Sequence, residues 1–299
     1  MMHLFYAAGG GLGHISRTTA FIQQLDLNPR KVCLLSNSTY AIVPFIPKDI
    51  QVIPLVPEII RDNRVYREFL LRLISEWNIQ KVYLDAFPAG LMGEWNDFPP
   101  INQVEFCYLA RILKWEVYEK QCLRRAPHFE NTYLLEPITG EQRHFIEENS
   151  RFIIPFTLDY PKSDLTAAKV QRLKSLKKEG RETWLIIHSE PEEEVEELFH
   201  YAQETARIQG KKPYFILSSQ SHHSLDTTHT EVWEDIYPAY ALFPWVDRIV
   251  SACGFNTIQQ TRLFRDKHIF IPFHRKYDDQ FLRARLVREN YYNLKDNLY

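Results

Sequence analysis

The sequence predicts an α/β protein built from two Rossmann-like, doubly wound halves. Three observations carry that prediction. Short apolar β-rich runs alternate with amphipathic helical segments along most of the chain, the order that parallel sheets require. At 299 residues the chain is long for one domain and comfortable for two. A glycine-rich turn between a strand and a helix opens the first series, and a second strand–turn–helix stretch recurs late in the other.

The first strand is His3 to Ala7. It runs into Ala8-Gly9-Gly10-Gly11-Leu12-Gly13-His14-Ile15-Ser16-Arg17 and a helix bearing Ile15, Ala20, Phe21, Ile22 and Leu25. Lys31 to Ser36 is a strand that ends in a Ser-Asn-Ser turn cluster. Ile50 to Leu55 is a third, closed by Pro54 and Pro57. Glu58 to Trp77 reads as one amphipathic helix, with Arg61, Arg64, Arg67 and Arg72 as a solvated basic face. Lys81 to Leu84 is the fourth strand and leads into Asp85. Ile101 to Cys107 is the fifth, followed by a helix from Tyr108 to about Arg125. Tyr133 to Leu135 and Phe152 to Ile154 are further strand candidates.

A connection and a lysine-rich helix (Val170, Leu173, Leu176) separate the halves, so the expected domains are residues 1–160 and 161–299. The second series starts with a strand from Glu182 to His188 and a helix that Ser189 can cap. Glu192, Glu193 and Glu194 fall in that helix's first turn, where they favour its dipole and need no function. Strands follow at Pro213 to Ser218, Arg248 to Ser251 and His268 to Phe273. Helices are expected from about Thr257 and from Asp279 to Glu289.

Composition narrows the function classes. A net charge of −2 with pI near 6.6 gives no global field towards nucleic acid or an anionic membrane. The four cysteines lack C-x-x-C spacing, so neither a zinc site nor a redox motif is expected. His222 and His223 have no partner at metal-ligand spacing and read as surface residues. With no signal-peptide pattern and no apolar run of spanning length, the expected location is cytoplasmic.

Four glycines between Gly9 and Gly13 let the backbone take positive φ and come close to a ligand. The dinucleotide fingerprint G-x-G-x-x-G fails, because its third glycine would fall on His14 or Ser16. A Walker loop fails for want of Lys-Ser/Thr. What remains is G-x-G-H-x-x-R. A merely structural turn needs fewer glycines, so the stretch points to a site. Later, Ser251-Ala252-Cys253-Gly254-Phe255-Asn256-Thr257-Ile258-Gln259-Gln260 again lies between strand and helix, with Asn256 or Thr257 as cap. Asp278-Asp279-Gln280 then opens a helix, either as ordinary capping or as groups offered to hydroxyls.

This ordered set resembles the GT-B glycosyltransferases, particularly the MurG-like, UDP-sugar-dependent branch. That family shows a G-x-G-H turn after its first strand. Its second domain carries S-x-G-(Y/F)-N-T-x-x-E, then a strand ending in Pro-Phe or Pro-Arg, then (D/E)-(D/E)-Q. The resemblance spans both halves and implies two Rossmann-like domains facing across a cleft. The N-terminal one would be on the acceptor side, and the C-terminal one would bind a nucleotide sugar, its last helix crossing back.

The resemblance further implies that the reaction moves a sugar from a UDP-linked donor to an acceptor hydroxyl without a metal or other cofactor. Gly254, Phe255, Asn256 and Thr257 would hold the diphosphate, with Gly11, Gly13 and Arg17 approaching from the other domain. Asp279 and Gln280 would meet sugar hydroxyls. His14 would be the general base, its ordinary pKa near 6.5 suiting that task; Asp85, at another strand end of the same domain, is placed by topology alone to orient it. One position departs: Gln260 stands where the family usually has a glutamate for the ribose, which weakens that bond. The implied partners are a nucleotide sugar and an unnamed acceptor, glycan or lipid-linked, with at most peripheral contact at the inner membrane face.

Two alternatives stay open. G-x-G-H-x-x-R also resembles the nucleotide-sugar hydrolase of pseudaminic acid synthesis, in which His14 would activate water. A degenerate, non-catalytic GT-B binding protein is the other, and Gln260 is its main support.

Overall fold

The computed structural model describes residues 1–9, 11–38, 46–99, 104–161, 167–188, 191–218, 229–233 and 236–289. The expected capping by Ser189, the His222-His223 loop and the final return of residues 290–299 lie outside the described residues. The described chain forms two compact units. Met1–Tyr160 and Arg275–Asp279 belong to the first, Pro161–His274 and Gln280–Glu289 to the second.

The first unit carries β1 (Met2–Tyr6), α1 (Leu12–Gln24), β2 (Val32–Ser36), β3 (Gln51–Pro54), α2 (Pro57–Ile60), α3 (Asn63–Glu76), β4 (Ile79–Asp85), β5 (Glu105–Ala110), α4 (Trp115–Cys122), β6 (Phe129–Leu134), α5 (Gly140–Asn149) and β7 (Ser150–Pro155). Its sheet has the order β3-β2-β1-β4-β5-β6-β7, and every neighbouring pair is parallel. The chain winds outward from β1 in one direction and then, from β4, in the other. The switch point therefore lies between β1 and β4, and ligands of such sheets bind beyond the carboxyl ends of those strands.

Aromatic packing sets where α1 sits. Phe21 lies against Phe5 of β1, Tyr83 of β4, Tyr133 of β6 and Phe156, and Phe5 stacks on Tyr83 at 4.2 Å. Burying a side chain of this kind contributes about 1.5–3 kcal/mol. The helix start is thereby held over the switch point.

Two expected helices are corrected. Glu58 to Trp77 is not one helix. α2 ends at Ile60, and Asp62 Oδ1 accepts from Arg64 N–H at 2.8 Å and Val65 N–H at 3.3 Å to begin α3 afresh. Nor is Arg67 part of a solvated face, since it donates to the carbonyls of Asn96 and Asp97. The expected helix from Tyr108 is also displaced. Cys107 to Ala110 is fully buried and continues β5, so the helix waits until Trp115.

The second unit carries α6 (Ala167–Lys178), β8 (Thr183–Ile187), α7 (Glu192–Ile208), β9 (Tyr214–Ser218), β10 (Thr230–Trp233), β11 (Arg248–Ala252), α8 (Phe255–Gln260), β12 (His268–Ile271) and α9 (Gln280–Arg288). Its sheet, β10-β9-β8-β11-β12, is again all parallel. The switch point here lies between β8 and β11. No helix among the described residues is long and apolar enough to cross a membrane.

Candidate functional site

At the first unit's switch point the glycine turn is tighter than the sequence suggests. Gly11 (φ 76°) is the N-cap of α1, so Gly13 lies in the helix's first turn and not in the loop. Gly10 is outside the described residues. Gly9 has φ 151°, and a Cβ there would stand 2.2 Å from His14 Nε2. Glycine at position 9 is thus required by the imidazole itself. Asn37 and Ser38, beyond β2, close the turn from the side. Gly9 N–H donates to Asn37 Oδ1 at 2.7 Å, and Ser38 Oγ donates to Gly11 O at 3.0 Å.

His14 and Asp85 meet across this switch point. Nδ1 is 2.7 Å from Asp85 Oδ2 in a buried contact. Arg17 clasps the same carboxylate from the next helical turn, Nε to Oδ1 and Nη2 to Oδ2, both at 2.7 Å. The carboxylate can only accept, so Nδ1 carries the hydrogen and Nε2 is left as the basic nitrogen. Arg17, expected on the nucleotide sugar, is instead buried at 2% exposure and holds Asp85. Its place three residues after His14 puts both side chains on one helix face.

Electrostatics favours a neutral histidine over an ionised aspartate. Burial holds His14 below its ordinary value; Asp85 pulls the other way, and Arg17 and Arg111 push it down again. Burial alone would raise Asp85, but Arg17 first and His14 second keep its carboxyl well below the usual range. A buried, oriented, unprotonated imidazole at neutral pH can accept a proton from a hydroxyl or a water.

The second unit's loop is different in kind. Asn256 and Thr257 do not cap α8: both lie inside its first turn, and Gly254 occupies the N-cap position without a side-chain cap bond. Gly254 has an ordinary φ of −71°, and nothing among the described residues stands within 4 Å of where its Cβ would be. Glycine here leaves room above the helix start and is not demanded by the backbone. Phe255 is buried at 3% and Gln280 at 4%, and Gln280 Oε1 accepts from Phe273 N–H at 3.0 Å. The oxygen expected on a sugar hydroxyl is therefore engaged with the backbone. Gln260, at the end of α8, and Asp279 are both half-buried.

The strand beneath this loop is braced by His268. Arg265 Nη1 reaches Nδ1 at 3.4 Å, Nε2 lies 2.8 Å from Ser251 Oγ, and Ser251 Oγ donates to Ala252 O. Burial and then Arg265 push His268 down to about 3. It is a neutral strut. His188 Nε2 contacts Glu194 Oε2 at 2.7 Å, so one of the first-turn glutamates of α7 has a specific partner. Among the described residues no group of three or more His, Cys, Asp or Glu could hold a metal ion.

No family model and no curated protein matches the chain. Solved structures do. The glycosyltransferase SnogD from Streptomyces nogalater aligns over 92% of this chain and 82% of its own, with 16% identity and a TM-score of 0.57. MurG from Acinetobacter baumannii aligns over 97% and 83%, at 11% identity and TM-score 0.53. The chain has the GT-B fold. UDP-GlcNAc 2-epimerase from Neisseria meningitidis, solved with UDP-GlcNAc bound, matches over 84% and 77% at 11% identity and TM-score 0.54. The GT-B fold thus serves transferases and an epimerase alike, and the reaction has to follow from the site.

Sequence reasoning missed Arg111, Asn37 and Ser38 as site residues. The Ser-Asn-Ser cluster was visible beyond β2, the strand beside β1, and that adjacency is the signal that could have brought Asn37 and Ser38 in.

Proposed function

We propose that this GT-B chain is a UDP-sugar-dependent glycosyltransferase in which His14 removes the proton from an acceptor hydroxyl. The observation that carries the reading is the buried Asp85–His14 contact with Arg17 behind it. The acceptor oxygen forms a bond to the anomeric carbon, and the bond from that carbon to the diphosphate breaks. Nε2 takes the proton, and the electron pair leaves with the diphosphate. The backbone around Gly254 to Thr257 would receive that leaving charge, a role supported by the clearance among the described residues at the Cβ position of Gly254. Asp279 would contact the donor sugar. The nature of the matched structures, glycosyltransferases and an epimerase holding UDP-GlcNAc, supports a UDP-sugar as donor.

Hydrolysis is the second reading: His14 and Arg17, the polar members of G-x-G-H-x-x-R, are joined through Asp85 into one unit that would activate water by the same proton transfer.

The deciding experiment measures the melting temperature with UDP, GDP, CMP, NAD and no ligand. A ligand that binds the folded state raises apparent stability by mass action. Selective stabilisation by UDP supports the reading, and silence towards every nucleotide overturns it in favour of a non-catalytic protein. Incubation with UDP-sugars then separates the two reactions. Sugar released into water without an acceptor marks a hydrolase, whereas UDP release that requires an acceptor marks a transferase.

A further inference from the structure

β1, β4 and β5 are neighbours in the sheet, and His14 sits on Asp85 at the end of the middle one. Asp85 closes β4 and is the register partner of Leu109 on β5. Arg111, two residues beyond Leu109, therefore leaves β5 beside the end of β4. The backbone from its carbonyl onward is pinned. Ile112 N–H donates to Glu136 Oε1 at 2.5 Å, Leu113 N–H to Gln142 Oε1 at 3.1 Å, and Gln142 Nε2 to Arg111 O at 2.8 Å. Its guanidinium, 7% exposed, meets Asp278 Oδ1 at 2.5 Å.

Asp278 is as firmly held. It forms an antiparallel bridge with Leu113, and Lys114 N–H donates to Tyr277 O at 2.7 Å. The Tyr277 ring lies 5.6 Å from Phe87 and 5.5 Å from Tyr118, and Phe87 is the ring 5.8 Å from His14. A residue from late in the chain thus belongs to the first unit's site.

We propose that Arg111 and Asp278 form a positioning pair for His14: Asp278 holds and neutralises Arg111, and the pair sets the charge that the imidazole faces. The inference rests on the reading of His14 as a base. Among the described residues, the charged groups placed around His14 are Asp85 at the end of β4, Arg17 one turn on along α1 and, past the end of the neighbouring β5, Arg111. Asp278 and Tyr160 act on Arg17 in turn. A cation beside an imidazole disfavours the imidazolium, and an anion paired to that cation offsets the effect. Removing either partner should therefore shift His14 in opposite directions. Structural damage would move both variants the same way.

The test is an NMR titration of the His14 imidazole in the full chain, its resonance assigned by its loss in His14→Gln. Arg111→Gln should raise the midpoint by roughly 1 pH unit and Asp278→Asn should lower it by a similar amount. The double variant should return towards the parent, and Arg111→Lys, which keeps the charge, should stay near it. Shifts of the same sign, or none in either single variant, overturn the proposal. The readout needs no substrate. Opposite shifts in a protein that turns over no UDP-sugar would leave the pair standing and sink the catalytic reading. Turnover with unmoved midpoints would do the reverse.

Discussion

His14 Nδ1 lies 2.7 Å from Asp85 Oδ2, although 71 positions separate the two residues in the chain. The contact joins the first turn of α1 to the last residue of β4 across the sheet's switch point. It fixes the tautomer of a buried histidine whose pKa burial holds below its ordinary value.

The first prediction concerns the dyad itself. His14→Ala should lower turnover by about 10²-fold or more while leaving UDP affinity nearly unchanged. Asp85→Asn should approach the same loss by releasing the tautomer. In the parent, the acid limb of kcat/KM should fall below pH 6.5, because the folded state holds His14 below its ordinary value. Between that lowered value and 6.5 the unfolded chain binds the extra proton, so stability too should decline as pH drops through this window. Steady-state kinetics and chemical denaturation across pH check both, and an acid limb above 6.5 would remove His14 as the base.

Gly9→Ala should reproduce the catalytic loss of His14→Ala. The new methyl would stand 2.2 Å from Nε2 on a backbone already at φ 151°, so the imidazole must leave its place. Turnover should fall by about 10²-fold or more, and binding of UDP by calorimetry should hardly change. Full activity in the variant would mean that the imidazole works from elsewhere.

Arg17→Met should destabilise the protein. It leaves the Asp85 carboxylate, 1% exposed, buried without its cation, a change that costs about 3–5 kcal/mol. In the parent, the depressed Asp85 contributes stability above its unfolded value, and that contribution is lost as pH falls through the folded one. In the variant Asp85 protonates at a higher pH, so the gap between the two proteins should narrow on acidification. Denaturant midpoints at neutral and acid pH would show it; a gap that is small at neutral pH would deny Arg17 this role.

Gln260→Glu should tighten UDP binding by roughly fivefold, since a charged acceptor makes the stronger bond to a ribose hydroxyl. An unchanged affinity in calorimetry would place the ribose elsewhere.

Much of this was legible along the chain. Alternating apolar runs announced two parallel, doubly wound sheets, because strands and helices must each bury an apolar face whatever their partners. The glycine run from Gly9 to Gly13 with His14 pointed to the first candidate site, because positive φ leaves a trace in residue type; that Gly9 makes room for the imidazole was not readable. Less legible were the ends of elements. Tyr108 belongs to a strand because β4 and β6 flank it, and the split between α2 and α3 depends on one cap at Asp62.

What only the tertiary structure decided is which polar groups meet. Local sequence shows that His14 and Arg17 share a helix face. It cannot show that Arg17 turns to Asp85, that Gln280 is taken by Phe273, or that Asp278 closes on Arg111. Those pairings are set by strand order and register, which bring distant carboxylates and guanidinium groups into one water-poor place. There each charge must find a partner, and the partner that sheet order brings beside it need not be near in sequence.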